Sequence, residues 1–157
     1  MKKGFTLIEL LIVMVILGIL VTISVPKYNA AVERGRAMEA LTNLRAASEV
    51  LNTRYLVNDN AYTCSGVANS AGEFKVGTAP TANFTKATYF NEPTVADCTA
   101  TANMSVSTAR NTGEYTLTAY NEDGELKYIT CTGDTDLCQN AGAEAGSDGV
   151  YKIDYGN

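Results

Sequence analysis

Apolar residues are concentrated near the start of the chain. From Phe5 to Val25 the sequence is almost continuously apolar and holds one charged side chain, Glu9. A helix of this stretch would span about 30 Å, the thickness of the hydrocarbon core of a bilayer. Lys2 and Lys3 come just before it, and such cations are enriched on cytoplasmic flanks. The pattern predicts a membrane-spanning helix with the rest of the chain outside the cytoplasm.

A second pattern follows over residues 26–57. Apolar or small side chains recur there at steps of three and four, which is typical of a helix that packs along one side. We therefore expect one helix from Phe5 to Val57, about 80 Å long, whose amphipathic second half packs on a sheet. The apolar stripe consists of Ala37, Leu41, Leu44, Ser48, Leu51 and Tyr55.

Beyond residue 58 the chain is rich in Thr, Asn, Ala, Ser and Gly, which is typical of loops. Short strands are expected at Phe84–Phe90 and Met104–Ser107, and a final strand at Val150–Tyr155. Two clearer alternating segments lie between them. The chain as a whole predicts an α+β fold, with an antiparallel sheet packed against the second half of the long helix.

The two clearer segments predict a hairpin. Glu114–Tyr120 and Leu126–Thr130 both alternate apolar and polar residues, and residues 121–124, Asn-Glu-Asp-Gly, supply a turn between them. In the second strand, this alternation places Leu126 and Tyr128 on one side.

Charge and composition exclude several functions. The chain has 12 basic and 17 acidic side chains, a net charge of −5, and no histidine. An acidic chain is a poor partner for nucleic acid, and without histidine a Ser-His-Asp or Cys-His catalytic site is impossible. We expect a non-enzymatic protein without a cofactor. The charge is uneven, because residues 26–57 are mildly basic and residues 58–157 strongly acidic.

Glu9 is the anomaly of the apolar stretch. A carboxylate in the hydrocarbon costs about 2.5–3.5 kcal/mol, so it calls for a cationic partner. No lysine or arginine lies within a helical turn after it, but a cut after Gly4 would create a new amino group at Phe5. A plain anchor leaves Glu9 unexplained. A cleaved secretory signal would be shorter, and the sequence after Val25 is a poor cleavage site for one.

Residues 2–9, Lys-Lys-Gly-Phe-Thr-Leu-Ile-Glu, resemble the class III signal of type IV pilins and related pseudopilins. The close resemblance covers about the first 30 residues. It implies that a membrane peptidase removes residues 1–4 by cutting after Gly4 and then methylates the amine of Phe5. It also implies that Glu9 pairs with the N-terminal ammonium of a neighbouring subunit during assembly.

The resemblance further implies a homo-oligomeric helical filament, with the 5–25 helices bundled inside and the 58–157 heads outside. Its partners would be the prepilin peptidase, the assembly machinery at the inner membrane, and membrane lipid before assembly. The subunit would start as a single-pass inner-membrane protein and end in an extracellular pilus, serving roles such as adhesion or twitching motility. Three alternatives remain: a pseudopilin of type II secretion, a minor pilin that primes the filament, and a membrane-anchored binding module that never polymerises.

Two helix positions could make the long helix flexible. Pro26 removes a backbone donor and Gly18 lowers helical stability. Related pilins loosen their helix between the matching residues in the filament. Equally, both are residues that ordinary membrane helices tolerate.

The four cysteines, Cys64, Cys98, Cys131 and Cys138, all lie in the head. Without histidine or a Cys-x-x-Cys spacing they make a poor zinc site, and outside the cytoplasm they would be oxidised. Of the three possible pairings we favour Cys64–Cys98 with Cys131–Cys138. The second pair resembles the cysteine-bounded region near the C-terminus of many type IV pilins.

Four acidic residues are a weaker candidate for calcium, which takes six to eight oxygen ligands. They are Asp123, Asp134, Asp136 and Asp148. Major pseudopilins carry a calcium site in a comparable loop, but acidic loop residues are usually only solvated, and we expect no metal.

Overall fold

The structure, a computed structural model, describes residues 5–57, 59–62, 73–74, 82–83, 88–91, 93–97 and 103–153. Its longest element is helix α1, Leu7–Val57, with 51 residues. At 1.5 Å per residue this helix is about 76 Å long. The predicted long helix is thus confirmed, and it begins two residues after Phe5.

The rest of the described chain is mainly β-structure. Six strands form one antiparallel sheet in the order β3-β4-β5-β6-β8-β7, and β1 and β2 form a separate two-stranded ladder. A short helix, α2, Thr135–Asn140, lies between β6 and β7. The predicted α+β class is therefore confirmed. The strands are β1 Glu73–Phe74, β2 Ala82–Asn83, β3 Thr94–Asp97, β4 Asn103–Ala109, β5 Tyr115–Glu122, β6 Glu125–Gly133, β7 Glu144–Ala145 and β8 Tyr151–Ile153.

The β5–β6 hairpin forms where the sequence predicts it. Glu122 pairs with Glu125, so the loop consists of Asp123 and Gly124. Both have positive φ, 52° and 78°. A tight hairpin turn that matches the twist of its strands requires this conformation, and Asp-Gly adopts it readily.

A bulge in β6 overturns one detail of the predicted alternation. Tyr120 pairs with Tyr128 but Asn121 pairs with Leu126, so Lys127 is an extra residue in β6. Leu126 consequently packs against the core, whereas Tyr128 lies exposed on the other face. The prediction that these two side chains share a side was wrong, because alternation cannot reveal an inserted residue.

Other strand boundaries agree with the predictions in part. Met104–Ser107 lies inside β4, and Val150–Tyr155 contains β8, although residues 154–155 lie outside the described part. In the predicted strand Phe84–Phe90, residues 84–87 are also outside it. Residues 88–89 form a bend, and Phe90 makes only an isolated bridge to Arg110. Helix α2 and strands β1, β2, β3 and β7 were not predicted.

The core lies between α1 and the sheet. All six residues of the predicted stripe on α1 are buried, and they face β4, β5 and β6. Val106, Leu117, Ala119 and Ile129 supply the sheet side of this core, each fully buried. The head is therefore built around the second half of α1.

Candidate functional site

No other element of the described chain covers the apolar first half of α1. The large hydrophobic side chains from Phe5 to Val25 are each between 49% and 90% exposed. This is also the part that makes α1 long and apolar enough, by length and composition, to cross a membrane. A contiguous apolar surface of this size marks an interaction site with lipid or protein.

A capping box forms at the exposed N-terminus of α1. The Glu9 carboxylate accepts hydrogen bonds at 2.8 Å from both the backbone N–H and the hydroxyl of Thr6. In return the Thr6 hydroxyl oxygen accepts from the Glu9 backbone N–H at 3.4 Å. These bonds satisfy orphan groups of the first helical turn. The Thr-x-x-Glu spacing is the sequence signature of this capping box, although Glu9 was predicted only as half of an intermolecular pair.

The processing residues are placed only in part. Gly4 lies outside the described residues, and the side chain of Phe5 is 90% exposed two residues before α1 begins. Cleavage after Gly4, methylation of Phe5 and pairing of its amine with Glu9 therefore stay predictions.

Gly18 and Pro26 both lie inside a continuous α1. Apart from the backbone of its own helical turns, a Cβ added at Gly18 would meet no atom of the described chain within 4 Å, so no close packing within the described chain requires a glycine here. Whether the helix loosens between these two residues in an assembly stays a prediction.

A buried ion pair holds α1 at the point where it enters the head. Glu33 is the first buried residue of the helix, and its carboxylate lies against Arg110 and Tyr115. Arg110 Nε lies 3.1 Å from Glu33 Oε1, and Arg110 Nη2 donates to Oε2 at 3.2 Å. The Tyr115 hydroxyl donates to Oε1 at 2.7 Å, and Arg36 adds a bond to Oε2 at 3.1 Å. Both oxygens of the buried carboxylate thus accept hydrogen bonds, and the Arg110 Nε contributes charge without a hydrogen bond of its own.

Further contacts connect residues 88–89 of the same chain to this ion pair. The guanidinium groups of Arg36 and Arg110 lie 4.9 Å and 5.5 Å from the centre of the Tyr89 ring. Glu39 accepts a hydrogen bond from the backbone N–H of Thr88 at 2.8 Å. Burial, and then the hydrogen bond to Glu33, raises the pKa of the Tyr115 hydroxyl well above its ordinary value. These contacts connect Thr88 and Tyr89 to the Glu33–Arg110 pair.

This junction was not predicted from the sequence. Glu33 is four residues before Ala37, so it continues the buried stripe by one turn. An acidic residue at a position of the buried stripe is the sequence feature that could have indicated a buried ion pair here. Its partners Arg110 and Tyr115 lie 77 and 82 residues further along the chain, and no local pattern connects them.

The disulfide between Cys131 and Cys138 is present and confirms that pairing. It joins β6 to α2, with the two Cα atoms 5.7 Å apart and both side chains buried. Cys64 and Cys98 lie outside the described residues, so their pairing stays a prediction.

The four candidate calcium ligands have separate surroundings. Asp134 caps α2 by accepting from Leu137 N–H at 3.0 Å. Asp148 pairs with Lys152 at 2.8 Å, and Asp123 accepts from the Tyr55 hydroxyl at 3.3 Å. Asp136 lies in the first turn of α2. Among the residues the structure describes, no group of three or more acidic, histidine or cysteine side chains is placed to hold a metal ion.

Known proteins similar to this chain include a family model of its N-terminal segment and two type IV major pilins. Residues 1–25 match the family model described as the prokaryotic N-terminal methylation motif. The chain is 31% identical to the type IV major pilin protein PilE1 of Neisseria gonorrhoeae, over 92% of this chain and 64% of the relative. It is 30% identical to PilE of the same organism, over 82% of this chain and 74% of the relative.

A second group of relatives agrees over a shorter range. The type IV major fimbrial protein FimA of Dichelobacter nodosus is 38% identical over half of this chain and 52% of its own length. The matches thus span between about half and three quarters of the relatives. No solved structure is significantly similar to the chain.

Proposed function

This chain belongs to the type IV pilin family, and on that premise we propose that it is the structural subunit of a type IV pilus filament. The observation that supports this most directly is the uncovered apolar half of α1. In a bilayer, lipid covers these side chains. Outside the bilayer, they need another apolar surface, and the same helix from other copies supplies one of matching length and character.

Assembly in this proposal depends on a processed N-terminus. A peptidase cuts after Gly4, the new amine of Phe5 is methylated, and this cation pairs with Glu9 of the adjacent subunit. Taking Glu9 out of water is tolerable only with such a partner, because an unpaired buried charge is strongly unfavourable. The bonds from Thr6 satisfy the carboxylate partly in the single chain, and the ammonium adds the compensating charge.

The proposed life of the subunit has two stages. It begins as a single-pass protein of the inner membrane, with the leader in the cytoplasm and the head outside, where the assembly machinery extracts it. It ends in an extracellular fibre. The Cys131–Cys138 disulfide supports an oxidising location for the head.

Sheared surface fibres test the proposal directly. Electron microscopy of the fibres, with mass spectrometry of their subunit, should find this chain as the main component, lacking residues 1–4 and methylated at Phe5. A Gly4→Val change should leave an unprocessed chain in the membrane. Intact filaments built from uncut chains would contradict the proposed processing. A chain found only in small amounts within fibres would identify a minor pilin instead.

Glu9→Ala tests the assembly step itself. We expect normal cleavage and membrane insertion, because both depend on residues outside this side chain, and a nearly complete loss of filaments. Glu49→Ala is a matched control, since it removes an exposed glutamate from the other half of the same helix. Wild-type filament yield from the Glu9→Ala chain would refute the pairing.

A further inference from the structure

We propose that Tyr120 and Tyr128 form an oxidative cross-linking site, at which a peroxide joins the two rings as dityrosine. The two residues lie directly opposite each other on β5 and β6. Both side chains are exposed on the face of the sheet that is turned away from α1, which we call the outer face. The proposal does not depend on the filament, because both tyrosines belong to one chain.

The bulge in β6 creates this pair. In a regular hairpin with the same turn, Lys127 would lie opposite Tyr120. Tyr128 would then lie opposite Ala119, whose side chain is on the buried face. The extra residue moves Tyr128 one position along, so that it faces Tyr120 across the ladder. Two aromatic side chains are thus brought together on the outer face by an inserted residue.

The geometry of the two rings favours coupling. The ring centres are 5.0 Å apart and the ring planes are inclined by 27°, so the rings are stacked. Tyr120 is 38% exposed and Tyr128 41%, which leaves both rings room to rotate until a Cε atom of one meets a Cε atom of the other. Lys152 Nζ lies 5.4 Å from the centre of the Tyr128 ring, and this cation–π contact holds that ring on the outer face.

A second pair of tyrosines in the described chain lacks these properties. The ring centres of Tyr55 and Tyr62 are closer together, at 4.7 Å, but the planes are inclined by 43° and both residues are buried. Their hydroxyls donate hydrogen bonds, to Asp123 at 3.3 Å and to Asn52 at 2.8 Å. An oxidant from solution therefore reaches the outer pair more easily than the inner one.

The reaction balances with hydrogen peroxide as the oxidant and a haem peroxidase as the one-electron relay. Peroxide takes one electron and one proton from each phenol and leaves as two molecules of water. The two tyrosyl radicals then couple through a new bond between a Cε atom of each ring. The hydrogens on these carbons move to the oxygens, which restores both phenols. The chain loses two hydrogen atoms in total.

The cross-link adds a second covalent bond between β6 and a neighbouring element. The Cys131–Cys138 disulfide joins β6 to α2, and dityrosine joins β6 to β5. The disulfide supports an oxidising location for the head, where a peroxide can act. Thiols reduce a disulfide but not a carbon–carbon bond, so the hairpin stays cross-linked after the disulfide is reduced.

Peroxidase treatment of the full chain in detergent micelles tests the proposal. A limiting amount of hydrogen peroxide should produce dityrosine fluorescence in the monomer, with a mass lower by two hydrogen atoms. Trypsin cleaves after Lys127 and so separates the two tyrosines into residues 111–127 and 128–152. We expect these two peptides to be joined through their tyrosines.

Phenylalanine variants identify the reacting residues. Tyr120→Phe and Tyr128→Phe should each reduce the dityrosine of the monomer nearly to background, because phenylalanine keeps the ring but forms no phenoxyl radical. Both variants should unfold at nearly the same temperature as the unmodified chain, since these hydroxyls lie on an exposed face. Tyr55→Phe is the matched control. It removes a hydroxyl from the buried pair and should leave the yield unchanged.

Several outcomes would overturn the proposal. Dityrosine confined to covalent dimers would show that the tyrosines react between copies. A yield in the monomer that does not respond to Tyr128→Phe, or a joined peptide that contains Tyr55 or Tyr62, would place the reaction elsewhere. The cross-linked monomer should also unfold a few degrees above the untreated chain when the disulfide of both is reduced. Equal unfolding temperatures would show that the cross-link does not stabilise the hairpin.

Discussion

The two halves of α1 belong to one continuous helix but have opposite relations to the rest of the chain. From Leu7 to Val25 every large apolar side chain is exposed, whereas Leu44 and Leu51 are almost completely buried against the sheet. The first half is apolar on all sides and the second only on one stripe. The stripe is matched to the sheet of its own chain, and an all-round apolar surface can be matched only by lipid or by several other helices.

This difference shows which process is stabilised by the burial of each half. Burial of the second half contributes to folding of the head, and burial of the first half can contribute only to insertion or assembly. Substitutions in the second half should therefore change the unfolding of the head, and substitutions in the first half should change fibre formation.

The largest effect on folding is expected at the junction of the halves. Glu33→Ala leaves the Arg110 guanidinium buried without its carboxylate, and breaking such a pair destabilises by about 3–5 kcal/mol. Urea unfolding of the full chain in micelles measures this loss. A double variant, Glu33→Leu with Arg110→Met, should recover much of it, because neither charge is then left alone. A single variant as stable as the unmodified chain would show that the pair does not anchor the helix.

A matched pair of leucines gives the next largest effect. Leu44→Ala removes a fully buried side chain and should destabilise the head by about 2–5 kcal/mol through the cavity it leaves. Leu17→Ala makes the same chemical change where the side chain is half exposed, so unfolding of the head should barely change while filament yield falls. Similar losses of head stability from both variants would contradict the division of α1 into two halves.

The smallest effect comes from the tyrosine that supports the junction. Tyr115→Phe removes a hydrogen bond to a carboxylate, a loss of about 1.5–3 kcal/mol at neutral pH. The folded chain raises the pKa of the hydroxyl, so its contribution is complete below the unfolded pKa of about 10 and declines as the pH rises above it.

Urea unfolding of both chains at neutral pH and at about pH 11 checks this sign. The advantage of the unmodified chain over Tyr115→Phe should shrink at the higher pH. An advantage that grows with pH would mean that the hydroxyl ionises more easily in the folded chain than in the unfolded one.

Local patterns were sufficient for much of the fold. The steps of three and four revealed the buried face of α1, and the Asn-Glu-Asp-Gly stretch at residues 121–124 located the hairpin turn, which the structure narrows to residues 123–124. The bulge at Lys127 was not predicted, because one inserted residue moves the side chains beyond it to the opposite face of the sheet without changing the composition of the strand. Helix α2 was not predicted because it has only six residues, four polar ones with Leu137 and Cys138, and so short a segment carries little periodicity.

The residues of the candidate site likewise differ in whether a local sequence pattern predicts them. Gly4, Phe5 and Glu9 lie within six consecutive residues and could be recognised as one motif. The pair of Glu33 and Arg110 depends on how the sheet packs on α1, which sequence spacing does not encode.

The unbroken course of α1 has a mechanical consequence. No linker joins the apolar half to the head, so tension applied to one end passes to the other through the backbone hydrogen bonds of a single rod. Pro26 lacks an N–H, so one of these bonds is missing there, and elongation under load should begin at that turn. The load then reaches the head first at Glu33, where a charge pair and not a flexible loop receives it.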